Sequence, residues 1–189
     1  MKKLKCCGCK AYFDKDTLIN LNGSNFHDIS CASEHGTRQA RKSKVKQLKL
    51  EKKAHNQRKR EFKDNDRSFQ IKKTQQVFNR FIRLRDHAEH CISCGRYHAG
   101  QYHAGHYRTV GGHPELRFSV INCHKQCSVC NNHKSGNIVE YRINLRGRIG
   151  DNLLDWLEGP HDAKKYTIEQ LKEIKLKYRA KWREIERNS

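Results

Sequence analysis

Nine cysteines and twelve histidines are the side chains of this 189-residue chain best suited to chemistry, and their spacing sorts them into sets. Cys91-x2-Cys94-x32-Cys127-x2-Cys130 is a pair of CxxC motifs separated by an insert of hairpin length. Such pairs converge four thiolates on one tetrahedral zinc ion, and a closed shell of four leaves no position for a substrate, so this metal is structural. Cys6-x2-Cys9-x21-Cys31-x3-His35 reads as a second zinc site, with His27 competing for the fourth place and Cys7 left over. The alternative is that these thiols are merely small buried apolar groups. It is weaker here, because residues 1–36 hold little else to build a core from. Cys123 lies outside both patterns and reads as a buried thiol.

The insert between the second site's pairs carries residues that a plain zinc ribbon does not need. In order they are His106, Asn122, the Cys127-x2-Cys130 pair, then Asn131, His133 and Lys134. At these residues the sequence resembles the HNH, or ββα-metal, nucleases with an embedded treble-clef zinc site. The resemblance implies phosphodiester hydrolysis, with His106 as general base and Asn122 accepting its other ring N–H. A neutral imidazole can take a proton from water near pH 7. A divalent ion, Mg²⁺ or Mn²⁺, would supply Lewis-acid charge, with His133 or Asn131 as ligands. The sequence departs from the common pattern at Gly105, where many such enzymes have an acidic ligand. His103 is the nearest replacement on the same strand. Arg108, Lys125 and Lys134 would hold phosphate, whereas His98, His113 and His124 have no role by register, His124 alone being placed on the Asn122 strand face where it could touch DNA.

The elements that must position these groups fall into four stretches. Residues 1–36 form a short zinc finger. Residues 37–73 are polar, basic and free of Pro and Gly, and read as a solvated helix or an arm that folds on binding. Residues 74–149 hold the core: a helix striped by Val77, Phe78, Phe81, Ile82 and Leu84, strands at Gln101–Tyr107 and Leu116–Ile121 around a Gly-Gly-His-Pro turn, and a helix from Lys134 to Ile149. Residues 150–189 are helical, with Thr167-x-x-Gln170 as a capping box for the last helix. The fold expected is α+β: a ββα-metal, HNH-like treble-clef zinc core flanked by helices, with a small zinc finger and a long basic helix before it.

Charge narrows the partner. Lys plus Arg is 40 and Asp plus Glu is 20, a formal balance of +20. Residues 38–73 carry 15 basic and four acidic side chains. A field of this sign draws polyanions, and nucleic acid is the commonest, so Arg38, Arg41, Lys42, Lys44, Arg58, Lys59 and Arg60 are candidate DNA contacts. The hydrophobic fraction of 35% argues against one large core. No apolar run reaches membrane-span length. The first residues lack the apolar stretch of a secretory signal, so a reducing, cytoplasmic setting and metal-bound rather than disulfide-bonded cysteines are expected.

Longer runs sharpen the resemblance. They are Cys91-Ile92-Ser93-Cys94-Gly95, Ala104-Gly105-His106-Tyr107-Arg108-Thr109, Pro114-x-Leu116-Arg117-Phe118, and His124-Lys125-Gln126-Cys127-x2-Cys130-Asn131-x-His133-Lys134-Ser135-Gly136-Asn137. Together they resemble the phage NinG family, also called Rap, of recombination endonucleases. The resemblance implies divalent-metal-dependent cutting of branched DNA such as D-loops and Holliday junctions, in the host cytoplasm, alongside phage or host recombination proteins. Symmetric junction cutting would suit a homodimer. Two other readings share part of the pattern: a non-catalytic zinc-ribbon DNA- or RNA-binding protein, and a sequence-specific HNH endonuclease.

Overall fold

The computed structural model describes residues 2–188, which divide into two compact units, one ending at Glu61 and one beginning at Phe62. The division falls inside the basic stretch. No helix among the described residues is long and apolar enough to cross a membrane.

The first unit opens with two antiparallel hairpins. Strand β1 (Lys3–Lys5) pairs with β2 (Tyr12–Asp14), and β3 (Ile19–Leu21) pairs with β4 (Ser24–Phe26). The β3–β4 turn is Asn22-Gly23, with φ of +49° and +78°, the left-handed pair that a tight hairpin requires. Helix α1 (Ile29–Asp64) comes next. Asp28 caps it, its Oδ1 accepting from the Cys31 backbone N–H at 2.6 Å. Cys31 is the one buried residue of this helix, so only its first two turns are anchored to the hairpins. The unit's buried centre is correspondingly small: Cys6, Phe26 and Cys31, with Cys7, Phe13 and Ala32 against them.

The second unit has two apolar centres on either side of a central hairpin. Helix α2 (Arg67–Arg85) starts at Asp66, whose carboxylate accepts from the N–H groups of Ser68 and Phe69. Strand β5 (Tyr102–His106) pairs with β6 (Cys123–Cys127), and α3 (Ile138–Ile149), α4 (Asp151–Glu158) and α5 (Ile168–Asn188) complete the unit. The expected capping box opens α5: Thr167 N–H donates to the Gln170 side chain and Gln170 N–H to Thr167 Oγ1. Phe78, Phe81 and Ile82 of α2 bury against Leu171 and Tyr178 of α5 together with Phe118, Cys123 and Tyr166. Ile92, Tyr107 and Leu116 form the other centre with Tyr141, Leu145, Leu154 and Leu157.

Three sequence expectations need correction. The second strand is Cys123–Cys127, not Leu116–Ile121. Pro114 starts a single 3₁₀ turn instead, and the buried Asn122 ties down the loop around that turn, its Nδ2 donating to the carbonyls of Arg108 and Leu116. Helix α3 begins at Ile138 rather than Lys134, because Ser135, Gly136 and Asn137 all have positive φ and break the helical path. Finally, α1 starts before residue 37 and is unbroken to Asp64.

Candidate functional site

In the first unit, the side chains of Cys6, Cys9, His27 and Cys31 converge so that one ligand atom from each lies within 4.8 Å of the others. Cys6 Sγ is 3.5 Å from Cys31 Sγ, and His27 Nδ1 is 3.5 Å from Cys6 Sγ and 3.6 Å from Cys9 Sγ. Tetrahedral zinc with ordinary bond lengths would separate two sulfurs by about 3.8 Å and sulfur from nitrogen by about 3.6 Å. The set therefore fits zinc. The fourth place belongs to His27, not to His35, which is a correction to the sequence reading. Asp28 decides it: Asp28 Oδ2 holds His27 Nε2 at 2.7 Å, which leaves Nδ1 to face the thiols. Phe13 stacks on the ring at 4.6 Å with planes 3° apart. His35 instead lies a turn further along α1, tilted against Phe26 and beside Gln39. The missed signal was Asp28 as helix cap, which places His27 just outside α1 and Cys31 in its first turn.

Burial pushes the Cys6 thiol up, but the His27 ring and backbone N–H groups of Cys9, His27 and Gly8 bring it down to about 5. Burial and the adjacent Cys6 push Cys31 up to about 11. Without a cation the cluster holds only part of its negative charge; a bound cation removes that conflict.

In the second unit, Cys91, Cys94, Cys127 and Cys130 form the other convergent group. The Cys127 N–H donates to Cys91 Sγ at 3.3 Å and the Cys130 N–H to Cys127 Sγ at 3.4 Å; burial pushes the Cys91 thiol up, but the N–H groups of Cys127, Cys94 and Ser93 bring it below its ordinary value. Four mutually close sulfurs could hold zinc. Cys94 Sγ also lies 3.1 Å from His98 Nε2, giving that histidine a place beside the cluster.

The residues between these pairs are arranged differently from the expected constellation. His106 ends β5, and its Nε2 donates to the Arg117 carbonyl at 2.9 Å. Its Nδ1 is 3.7 Å from the thiol of Cys123. Burial, more than the Arg117 charge, lowers its pKa while the carbonyl contact opposes this. Asn122 does not orient it. The Asn122 carbonyl accepts from the Arg108 N–H and its amide donates to the Arg108 and Leu116 carbonyls, so both ends are spent holding the loop. His133 is exposed at the end of a wide turn, Val129–His133. Asn131 donates to Asn132 Oδ1. His103 has a buried Nε2 without a hydrogen-bond partner.

Among the described residues, no group of three His, Cys, Asp or Glu ligands includes His103, His106 or His133. A ligand at position 105 is also excluded. A Cβ there would overlap the Gln126 side chain, whose amide donates to Ser93 Oγ and the Gly136 carbonyl. The residues present thus do not fit a preformed site for a catalytic Mg²⁺ or Mn²⁺.

Two expected DNA contacts are core groups instead. Lys125 is 7% exposed; its Nζ donates to the carbonyls of His87 and Glu89 and sits over the Tyr102 ring. His124 is buried beside Tyr141, and burial first, then the Arg85 charge, brings its pKa down to about 3. Arg108 is half-buried and lines a cleft of about 630 Å³ with His113, Glu115, Glu158 and His161. Lys134 is exposed, as are Arg38, Arg41, Lys42, Lys44, Arg58, Lys59 and Arg60 along α1.

Comparison with known proteins finds relatives of the chain. The family model described as "Bacteriophage Lambda NinG protein" matches residues 1–188. "Protein ninG" of Escherichia phage lambda is 46% identical over 123 residues, which cover 65% of this chain and 60% of the relative. The same-named protein of Salmonella phage P22 is 44% identical over 119 residues, 63% of this chain and 59% of its own. The matched segment thus spans about three fifths of the length of these curated relatives. No solved structure matches the chain. The chain belongs to the NinG family of bacteriophage lambda.

Proposed function

We propose that this chain is a DNA endonuclease that hydrolyses phosphodiesters in branched recombination intermediates, with His106 as its general base. The observation that carries the reading is the state of His106. Its Nε2 proton is committed to the Arg117 carbonyl, so the lone pair resides on Nδ1. Burial keeps the ring neutral at physiological pH, as a base must be. The strand pair, the tethered loop held by Asn122 and the helix after the cysteines support an HNH-like arrangement. The sequence resemblance supports the branched substrate. In the observed arrangement Nδ1 faces Cys123, so taking a proton from the attacking water requires the ring to turn away from that thiol. Activity is expected to depend on added Mg²⁺ or Mn²⁺, although His103, His106 and His133 do not converge on a site for the ion.

The geometry that speaks against a preformed ion site favours a second reading, a zinc-stabilised DNA-binding protein without catalysis. Zinc-loaded protein is incubated with labelled D-loop, four-way junction and matched linear duplex, with and without added Mg²⁺ or Mn²⁺. Cutting of the branched forms is expected, lost in His106→Ala while DNA binding persists. The acidic limb of its pH profile should lie below the ordinary histidine value of about 6.5. His106→Gln, which keeps a carbonyl-bonding amide, guards against loss through misfolding. Binding without cutting under every condition establishes the second reading. Cutting of one linear sequence alone establishes a sequence-specific HNH enzyme.

A further inference from the structure

Helix α1 is exposed along its length, yet its charge is not spread evenly around it. At about 100° per residue, Arg38, Arg41, Lys42, Lys46 and Lys49 fall in one sector about 140° wide. Lys52, Lys53, Lys59 and Arg60 continue it. The surface agrees: the first five border one shallow groove, and Lys49, Lys52, Lys53 and Arg60 border the next, with Lys49 common to both. Lys44, Arg58 and Glu51, the acidic residue between Arg38 and Arg60, lie on the opposite side, where Gln47 donates to Glu51 at 2.9 Å. The cationic face runs about 33 Å from Arg38 to Arg60 at 1.5 Å per residue.

We propose that this one face of α1 is a docking surface for the phosphate backbone of duplex DNA, and that the rest of the helix takes no part, Lys44 and Arg58 included, although charge alone makes them candidate contacts. This deepens the reading that the chain acts on DNA and rests on it. Nine charges along that length give roughly one per 4 Å, close to the roughly 3.4 Å axial spacing of phosphates on one strand. A protein partner would need apolar or aromatic anchors, and Val45 is the one large apolar side chain within the sector. Guanidinium and ammonium groups on most turns, with no acid among them, suit a uniform polyanion and read no sequence.

The test compares two variants of the full zinc-loaded chain with the same change in net charge. Lys42→Gln/Lys49→Gln lies on the face; Lys44→Gln/Arg58→Gln lies off it. All four side chains are exposed on a solvated helix, so neither pair threatens the fold. Binding to a labelled duplex is measured against salt with no divalent ion added. The face pair should lower the log–log salt slope by about 2 and affinity at least about 10-fold, whereas the other pair should change the slope by less than about 0.5. Equal losses for the two pairs, or no loss for either, would overturn the proposal. So would displacement of the DNA by polyglutamate of matched charge, which would make the face a site for acidic protein. Cleavage is scored separately. A chain that shows the binding pattern but cuts nothing keeps the surface and loses the nuclease reading; one that cuts while both pairs bind alike does the reverse.

Discussion

The two cysteine knuckles are near-copies in backbone and differ in what stands behind them. In each, the N–H of the residue after the second cysteine donates to the first cysteine's carbonyl: Lys10 to Cys6 at 3.0 Å, Gly95 to Cys91 at 2.9 Å. In each, the first cysteine's N–H donates to a carbonyl five residues on, Ala11 and Arg96. Lys10 and Gly95 both adopt positive φ, +68° and +64°. The inner positions then diverge. Ile92 is 1% exposed and plugs the second knuckle into an apolar core, while its counterpart Cys7 packs on a centre of three buried residues. Ser93 donates to the Gly136 carbonyl, while its counterpart Gly8 presses so close to Cys31 that any side chain would collide with that ligand's sulfur. The same turn thus stands on a packed core in one unit and supplies part of a very small one in the other.

The largest expected effect comes from that contrast. Structural zinc contributes about 10 kcal/mol or more of folding free energy, and the first unit has little apolar burial to replace it. Stripping zinc should expose the amides of β1 to β4 to hydrogen exchange, while α2 and α5 keep their protection through Phe78, Phe81, Leu171 and Tyr178. Simultaneous loss in both units would erase the distinction between the knuckles.

Next in size is a clamp in the second unit. Asp86 is 2% exposed; Arg85 binds both its oxygens, the Lys125 N–H donates to it at 3.0 Å, and Arg148 lies 3.5 Å away. Arg85 also donates to the carbonyls of Val120 and Cys123, which fixes β6. Burial raises the Asp86 pKa, but Arg85 and its other partners outweigh this and lower it. A depressed carboxylate contributes stability above its unfolded value, near 3.9, and that stability is lost as pH falls through the folded value. Asp86→Asn should cost about 3 kcal/mol at pH 7 by leaving the Arg85 guanidinium without its carboxylate, while Arg148 keeps Glu89 at 3.5 Å. Urea titrations at pH 7 and pH 3 check this: the deficit should shrink in acid. A deficit equal at both values would mean that packing, not charge, is what Asp86 supplies.

Within the first knuckle, ligand identity is the sharper question. His27→Ala should remove the fourth ligand and release one zinc on mild chelation, while His35→Ala should retain two zincs per chain. Asp28→Asn keeps the ring but weakens its hold, and zinc affinity should fall about 10- to 100-fold. Part of that loss reflects the helix cap, so Asp28→Ser, which still caps α1 but cannot reach the ring, separates the two roles. Retention of both zincs in His27→Ala would return the place to His35.

What the sequence made legible tracks how local the signal was. The second cysteine quartet, the stripe on α2 and the Thr167–Gln170 box rest on spacing over a few residues, and they stand where expected. Strand β6 was hidden by its own composition. Cys123-His124-Lys125-Gln126-Cys127 reads as polar loop, yet all five residues are buried, because distant groups satisfy them: Asp86, the His87 and Glu89 carbonyls, Ser93, Gly136 and Tyr141. The run Leu116–Ile121 has a strand's alternation but lost its partner strand to that segment. His27 over His35 turned on one carboxylate, Asp28, whose reach depends on where α1 begins. Asn122 drew attention as a site residue, but its amide serves the loop backbone, a role that no spacing rule distinguishes from catalysis.

The smallest effect tests the likeness of the knuckles themselves. Lys10 adopts the left-handed conformation that costs a residue with a Cβ about 1 kcal/mol or more, and Gly95 adopts it freely. A Cβ at Gly95 would meet nothing within 4 Å, so Gly95→Ala introduces backbone strain and no clash. If the turns are equivalent, Gly95→Ala should weaken the second site by about 1 kcal/mol. Lys10→Gly should strengthen the first by somewhat less, since glycine's unfolded-state freedom offsets part of the gain and the Lys10 Nζ contact to the Cys7 carbonyl is lost. Zinc competition against a chromophoric chelator measures both. Opposite signs would establish that one backbone requirement governs the two turns. A Lys10→Gly variant that binds zinc more weakly would show that the first knuckle, lacking a core, depends on the lysine's own contact to hold its shape.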